Sequence, residues 1–205
     1  MMEPPTIGLI LAGGLARRMG GGDKALKLLA GQPILAHVID RLRGQCDALL
    51  LNANGDPARL AGFGLPIVAD TVPDFAGPLA GILAGLDWIA ARRPQAEWVL
   101  SVAADTPFIP SDLAARLHQA RAAAGTRLAC AASGGQQHHA IGLWPVSLRE
   151  DLRRALAAGE RRLGRWTNGH GVAVAEWPAE PVDPFLNVNT PEDLAEAERL
   201  AAAAP

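Results

Sequence analysis

Cysteine is scarce, charge of either sign is nearly balanced and long apolar runs are missing from this 205-residue chain; each shortage removes a class of protein. Cys46 and Cys130 stand far apart, each among apolar neighbours, so no disulfide framework is expected and both read as buried free thiols. A net charge of −2 leaves no extended basic face for DNA or RNA. No apolar stretch approaches the ~20 residues of a membrane span. Met1-Met2-Glu3-Pro4-Pro5 lacks the basic-then-apolar order of a signal peptide, which points to the cytoplasm, with neither nucleic acid nor membrane as partner. The histidines supply no ligand cluster, because His138 and His139 are adjacent and face opposite ways in a strand, while His37 and His118 ride helical patterns.

What the chain does contain is a loop of unusual composition. Residues 11 to 24 hold five glycines, two arginines and a lysine directly behind the apolar run Ile7-Gly8-Leu9-Ile10-Leu11, which reads as a short buried strand. Gly13 and Gly14 end that strand with residues that let a ligand approach the backbone, whose N–H groups can point at phosphate oxygens. Arg17, Arg18 and Lys24 add positive charge, so the expected ligand is a nucleotide triphosphate. Two commoner phosphate motifs are excluded. A P-loop needs Ser or Thr after Gly-Lys, whereas Lys24 stands between Asp23 and Ala25, and the G-x-G-x-x-G dinucleotide spacing is absent.

Along the chain, strand-like and helical runs alternate: Ile7–Leu11, Ile34–Leu42, Ala48–Asn52, Ile67–Ala69, Ile82–Ala91 and Trp98–Ala103. A helix over Asp112–Ala124 follows, then strands over Arg127–Ser133, Ala140–Trp144 and Val172–Ala175, with Ser147–Ala158 helical between the last two. Thr190-Pro191-Glu192-Asp193 opens a final helix to Ala203 with a capping hydroxyl, an early proline and acids in the first turn. The alternation predicts an α/β fold in one domain: a Rossmann-like, mostly parallel sheet with helices on both faces.

Such sheets bind ligands beyond the carboxyl ends of their strands. The glycine loop, Asn52-Ala53-Asn54, Asp70 and Asp105 all fall at such ends, so they are expected to converge. Asp105 follows a buried strand that Thr106 and Pro107 terminate, and a carboxylate there must be solvated, paired or metal-bound. Magnesium needs only one or two protein oxygens when phosphates fill the rest of its shell, which makes Asp105 the candidate ligand. Asp70 can accept from a guanine edge or from ribose hydroxyls, and Asn52 can add a polar contact to the nucleoside. Gly77-Pro78-Leu79-Ala80-Gly81 opens a helix with small residues. Asn187 and Asn189 lie on one side of an extended segment just before the final helix and by composition read as turn residues.

Taken together, Leu11-Ala12-Gly13-Gly14, Arg17-Arg18-Met19-Gly20-Gly21, Asp23-Lys24, Asn52-Ala53-Asn54, Gly77-Pro78-Leu79-Ala80-Gly81, Asp105-Thr106-Pro107 and Asn187-Val188-Asn189-Thr190-Pro191 resemble the molybdenum cofactor guanylyltransferases. The resemblance runs in order over nearly the whole chain. It implies the nucleotidyltransferase type of fold and transfer of GMP from GTP to molybdenum-molybdopterin. It also implies GTP contacts at Leu11, Ala12, Gly13, Lys24, Asn52, Asp70 and Asp105, extended to Gly14, and Mg2+ at Asp105 with Asn187 and Asn189 as further ligands. Lys24, Arg18 and Asp105 are the expected catalytic residues. The N-terminal half should hold GTP and metal, and the C-terminal half molybdopterin, with Ser133-Gly134-Gly135 and Arg161-Arg162 on the pterin side. Molybdoenzyme apoproteins or other cofactor-assembly proteins are the implied partners.

The chain departs from the family at His139 and Ala76, where a proline can occur, and at Ala104, where a cysteine is frequent. Three other readings compete: a molybdopterin cytidylyltransferase using CTP, a sugar-1-phosphate nucleotidyltransferase, and a non-catalytic GTP-binding adaptor. The Leu11-Ala12-Gly13-Gly14 form disfavours the first, the chain length the second, and Asp105 with the paired asparagines the third.

Overall fold

The computed structural model describes residues 4–13, 23–72 and 77–203; Gly14, Arg17, Arg18 and Ala76 lie outside them. In chain order the first half contains β1 (Thr6–Leu11), a small hairpin of β2 (Leu28–Leu29) and β3 (Gln32–Pro33), α1 (Ile34–Arg43), β4 (Ala48–Asn52), β5 (Ile67–Val68), α2 (Pro78–Arg92) and β6 (Trp98–Ala103). The second half adds α3 (Leu113–Ala124), β7 (Leu128–Ser133), β8 (Gln136–Pro145), α4 (Arg149–Ala157), α5 (Leu163–Gly169), β9 (Val172–Trp177) and α6 (Pro191–Ala203). Seven strands form one sheet in the order β5-β4-β1-β6-β8-β7-β9, with β8 alone running against its neighbours.

Near-continuous apolar runs make the central strands, because both faces of the sheet are covered. On one face Ile10, Leu51, Leu100 and Val102 pack under Leu35, Val38 and Leu42 of α1 and Leu113 and Leu117 of α3. On the other, Leu9, Leu50, Val99 and Trp144 pack against Ile82, Leu83 and Leu86 of α2, Leu152 and Leu156 of α4 and Trp166 of α5. Helix α6 packs on the small hairpin through a third cluster that includes Leu29, Ile34, Val188 and Ala197. The expected α/β sheet with helices on both faces is therefore what the chain builds.

Several element boundaries differ from the sequence expectation, each for a local reason. Strand β8 starts at Gln136 rather than Ala140, since Gly134 and Gly135 both take positive φ (54° and 78°) and make a two-residue hairpin turn that pairs Ser133 with Gln136. The expected helix over 147–158 is a 3-10 turn at Val146–Leu148 followed by α4. A 3-10 segment at Pro57–Phe63 and helix α5 had no expected counterpart. Cys130 is buried as expected, and Cys46 is only half-buried.

Strand order places the site. From β1 the chain adds β4 and then β5 on one side, and later sets β6 on the other side of β1. A crevice opens where that order reverses, beyond the carboxyl ends of the strands.

Candidate active site

Leu11 is level with Asn52 of β4 and with Ala103 of β6, so three strand ends reach the same height. Ala12 N donates to Asn52 O at 2.8 Å and Ala104 N to Leu11 O at 3.1 Å, carrying the pairing one residue past each strand. Two adjoining cavities open there and share Leu11 and Ala103. The smaller, of about 80 Å³, is lined by Leu11, Ala12, Asp23, Lys24, Ala25 and Ala103 to Asp105. The larger, of about 350 Å³, takes in Gly13, Asn52, Asn54, Asp70, Gly77, Pro78 and Ala140.

In the smaller cavity Asp23 caps a short 3-10 turn (Lys24–Leu26) by accepting from Ala25 N at 3.3 Å, which presents Lys24 to the cleft. The Lys24 ammonium donates to Asp105 Oδ2, and to Asn189 Oδ1 at 2.7 Å. The segment carrying Asn189 is pinned by Val188 N donating to the Asp105 carbonyl at 2.9 Å. Thr190 and Asp193 then start α6 with reciprocal caps: Asp193 N donates to Thr190 Oγ1 at 3.1 Å and Thr190 N to Asp193 Oδ2 at 2.9 Å. Asn187 is directed elsewhere. Its Oδ1 accepts from the buried Thr106 hydroxyl at 2.9 Å, so only Asn189 of the two expected asparagines contacts Lys24.

Among the described residues two buried side-chain polar atoms have no hydrogen-bond partner, Asp105 Oδ1 and Trp166 Nε1. An orphaned carboxylate oxygen costs about 1–3 kcal/mol of desolvation, and a cation-binding position is the natural use for it. Asp105 Oδ1 and the carbonyl oxygen of Asn189 are hard oxygen donors of the kind magnesium or manganese accepts, with phosphate and water supplying the rest. The residues present thus fit a divalent ion.

The larger cavity is organised around Asp70. Asn52 Nδ2 donates to its Oδ1 at 2.9 Å and Asn54 Nδ2 to its Oδ2 at 2.8 Å, while Asp70 N donates to Asn54 Oδ1 at 2.9 Å. A carboxylate has about four lone-pair sites, so two remain for a ligand edge. Gly81 stands behind this group: a Cβ there would come 2.2 Å from Asn52 Oδ1, so only glycine lets α2 approach so closely. Sequence reasoning overlooked Arg59. Its guanidinium pairs with Asp23 Oδ2 and donates to Asn54 O at 2.9 Å, and nothing in a lone arginine of a turn signals that role.

Farther along the same edge, His138 and His139 do face opposite ways. His138 Nε2 meets Ser133 Oγ at 2.8 Å and its ring lies 5.1 Å from that of Phe185, whereas His139 Nδ1 meets Thr167 Oγ1 at 3.1 Å. Burial pushes both below the ordinary histidine range, with Asp183 and Glu176 opposing this at His138. Ser133 also donates to Asp183 Oδ1 at 2.8 Å, so its hydroxyl is turned inward. The Arg161 guanidinium donates to Leu156 O and Glu160 O, and neither Arg161 nor Arg162 lines the two cavities.

Residues 8–174 match the model of the MobA-like NTP transferase domain. Over 97% of this chain and 96% of its own length, a protein of Nitrobacter hamburgensis named molybdenum cofactor guanylyltransferase is 62% identical. A Bradyrhizobium sp. protein of the same name is 64% identical over 95% of this chain and 92% of its own. The crystal structure of molybdopterin-guanine dinucleotide biosynthesis protein A from Archaeoglobus fulgidus superposes with a TM-score of 0.75 over 97% of this chain and all of that one, at 20% identity. That likeness concerns the fold. No helix among the described residues is long and apolar enough to cross a membrane.

Proposed function

The chain belongs to the MobA-like NTP transferase family, and from that premise we propose that it transfers GMP from GTP to molybdenum-molybdopterin, releasing pyrophosphate. The observation that carries this reading is the pair of joined cavities. One holds an acid with an unpartnered buried oxygen beside a lysine, and the other is a nucleoside-sized space built on Asp70.

GTP lies with its base in the larger cavity, where Asp70 accepts from the donors of the guanine edge and Asn52 holds that carboxylate in place. Leu11, Ala12, Gly13 and Gly14 bring backbone to the phosphates, of which Gly14 lies outside the described residues. Mg2+ is held by Asp105 and Asn189; when bound it withdraws charge from the phosphate oxygens. Asn187 braces Thr106 instead. Lys24, now spanning Asp105 and Asn189, turns its ammonium to the triphosphate, joined by Arg18 from outside the described residues. A terminal phosphate oxygen of the acceptor attacks the α-phosphorus, the bond to the bridging oxygen breaks, and pyrophosphate leaves with that electron pair. Lys24 and Arg18 offset the charge that grows on the bridging oxygen. The attacking phosphate is already anionic, so no protein nucleophile is required.

The acceptor is assigned to the C-terminal half. Support comes from the shared edge: the end of β7 and the start of β8 lie at the carboxyl end of β6, and the segment leading to Asn189 is bonded to Asp105 there. The test is to supply magnesium and metal-loaded molybdopterin with GTP or CTP separately and to measure pyrophosphate. Release with GTP alone is expected. Release with CTP alone would reassign the base specificity, and release with neither would leave a nucleotide-binding adaptor.

A further inference from the structure

The charged residues lining the smaller cavity, among those described, are Asp23, Lys24 and Asp105, one cation against two anions. With a divalent ion on Asp105, as in the reading above, Asp23 is the acid in this lining that would still oppose a triphosphate. Asp23 is worse placed than most carboxylates to be screened by water, since its side chain is 9% exposed. Arg59 meets it from the Pro57–Phe63 turn, 36 residues away in sequence. Its second arm donates to the carbonyl of Asn54, whose side chain holds both the carboxylate and the backbone N–H of Asp70. One planar guanidinium therefore joins the phosphate cleft to the nucleoside cavity, which a point charge such as lysine cannot do with the same geometry.

We propose that Arg59 is a positioning residue of the nucleotide site: it neutralises Asp23, so that Lys24 is left to face the triphosphate, and it ties that loop to the Asn54–Asp70 group. The proposal rests on the nucleotide-binding reading above and extends it to a residue that does not touch substrate. Loss of the guanidinium frees a carboxylate beside the phosphates, so the penalty grows with the number of phosphates on the ligand. A purely mechanical support would weaken all guanine nucleotides alike.

Calorimetric binding of GTP, GDP and GMP with magnesium, together with KM and kcat for GTP, decides the matter. Arg59→Met should weaken GTP binding about tenfold, GDP less and GMP within about twofold, raising KM more than it lowers kcat. In the Asp23→Asn background the same substitution should cost under about threefold, because the repelling charge is gone. Arg59→Gln must show the same phosphate-graded loss, and Arg59→Lys must not. Equal losses for GMP and GTP, or the same loss in both backgrounds, overturn the proposal. A native chain that bound none of the three nucleotides would instead overturn the reading beneath it, before any variant is compared.

Discussion

Asp47 and Asp105 are carboxylates at opposite edges of one sheet, and they are treated in opposite ways. At the amino edge Asp47 Oδ2 takes the backbone N–H of Thr6 at 2.7 Å, the Thr6 hydroxyl donates to Pro4 O at 2.7 Å, and His118 Nε2 meets that same hydroxyl at 2.9 Å. The Thr6 proton is already committed, so His118 must donate from Nε2. Its Nδ1 is then left to accept from Arg121 Nε at 3.3 Å. Arg121 in turn covers Trp98 at 3.8 Å. At the carboxyl edge Asp105 keeps a buried oxygen with no partner, and the Asp70 carboxylate faces a cavity with capacity to spare. Polar groups that complete one another hold a fold together, whereas polar groups left incomplete are available to a ligand.

Substitution at the two acids tests that contrast most severely. Asp105→Asn should lower kcat by about 10²-fold or more while leaving GTP affinity nearly intact, because the lost interaction belongs to the transition state. Its melting temperature should hold or rise. Asp47→Ala should do the reverse, costing about 1–3 kcal/mol of stability through the unpaired Thr6 N–H with kcat unchanged. Equal effects of both on activity would erase the distinction between the edges.

Acid titration sharpens the comparison most at the amino edge, although burial lowers His138 and His139 at the other edge as well. Burial, and then the Arg121 guanidinium, push His118 down from 6.5 to about 4. The unfolded chain therefore takes up the proton first. The stability from keeping His118 neutral is complete above about pH 6.5 and is lost as pH falls to about 4, a change of about 3 kcal/mol. Denaturant unfolding at a series of pH values should show this slope, and a His118→Gln chain should show a shallower one, with the remainder coming from the buried His138 and His139.

A smaller effect is expected from Gly81→Ala, which places a methyl against Asn52 Oδ1 and forces that side chain off Asp70. KM for GTP should rise about tenfold, with a stability cost of about 1–3 kcal/mol. An unchanged KM would mean that Asn52 does not orient Asp70 for the nucleoside.

Much of the carboxyl edge was legible in the chain because each of its main groups sits at a punctuation mark. Asp105 follows a run of buried residues and precedes Thr106 and Pro107, Asn52 ends β4, and Asp70 stands just past β5. Arg59 carried no such mark, and its partner Asp23 lies 36 residues away, so their pairing emerges only when β4 is laid beside β1. The start of β8 was misjudged although Gly134-Gly135 announces a tight hairpin, because the polar run Gln136 to His139 hides its period. Asn187 and Asn189 looked equivalent by alternation, and a buried threonine hydroxyl separated them.

By itself the sequence determined the alternating strands and helices, the placement of glycine and charge after the first strand, and the acids at strand ends, because these depend on local periodicity and on residues that stop a strand. Only the tertiary structure decided which groups are completed by neighbours and which are left open. That outcome depends on distances between segments far apart in the chain, set by strand order and helix packing, and no local pattern encodes them.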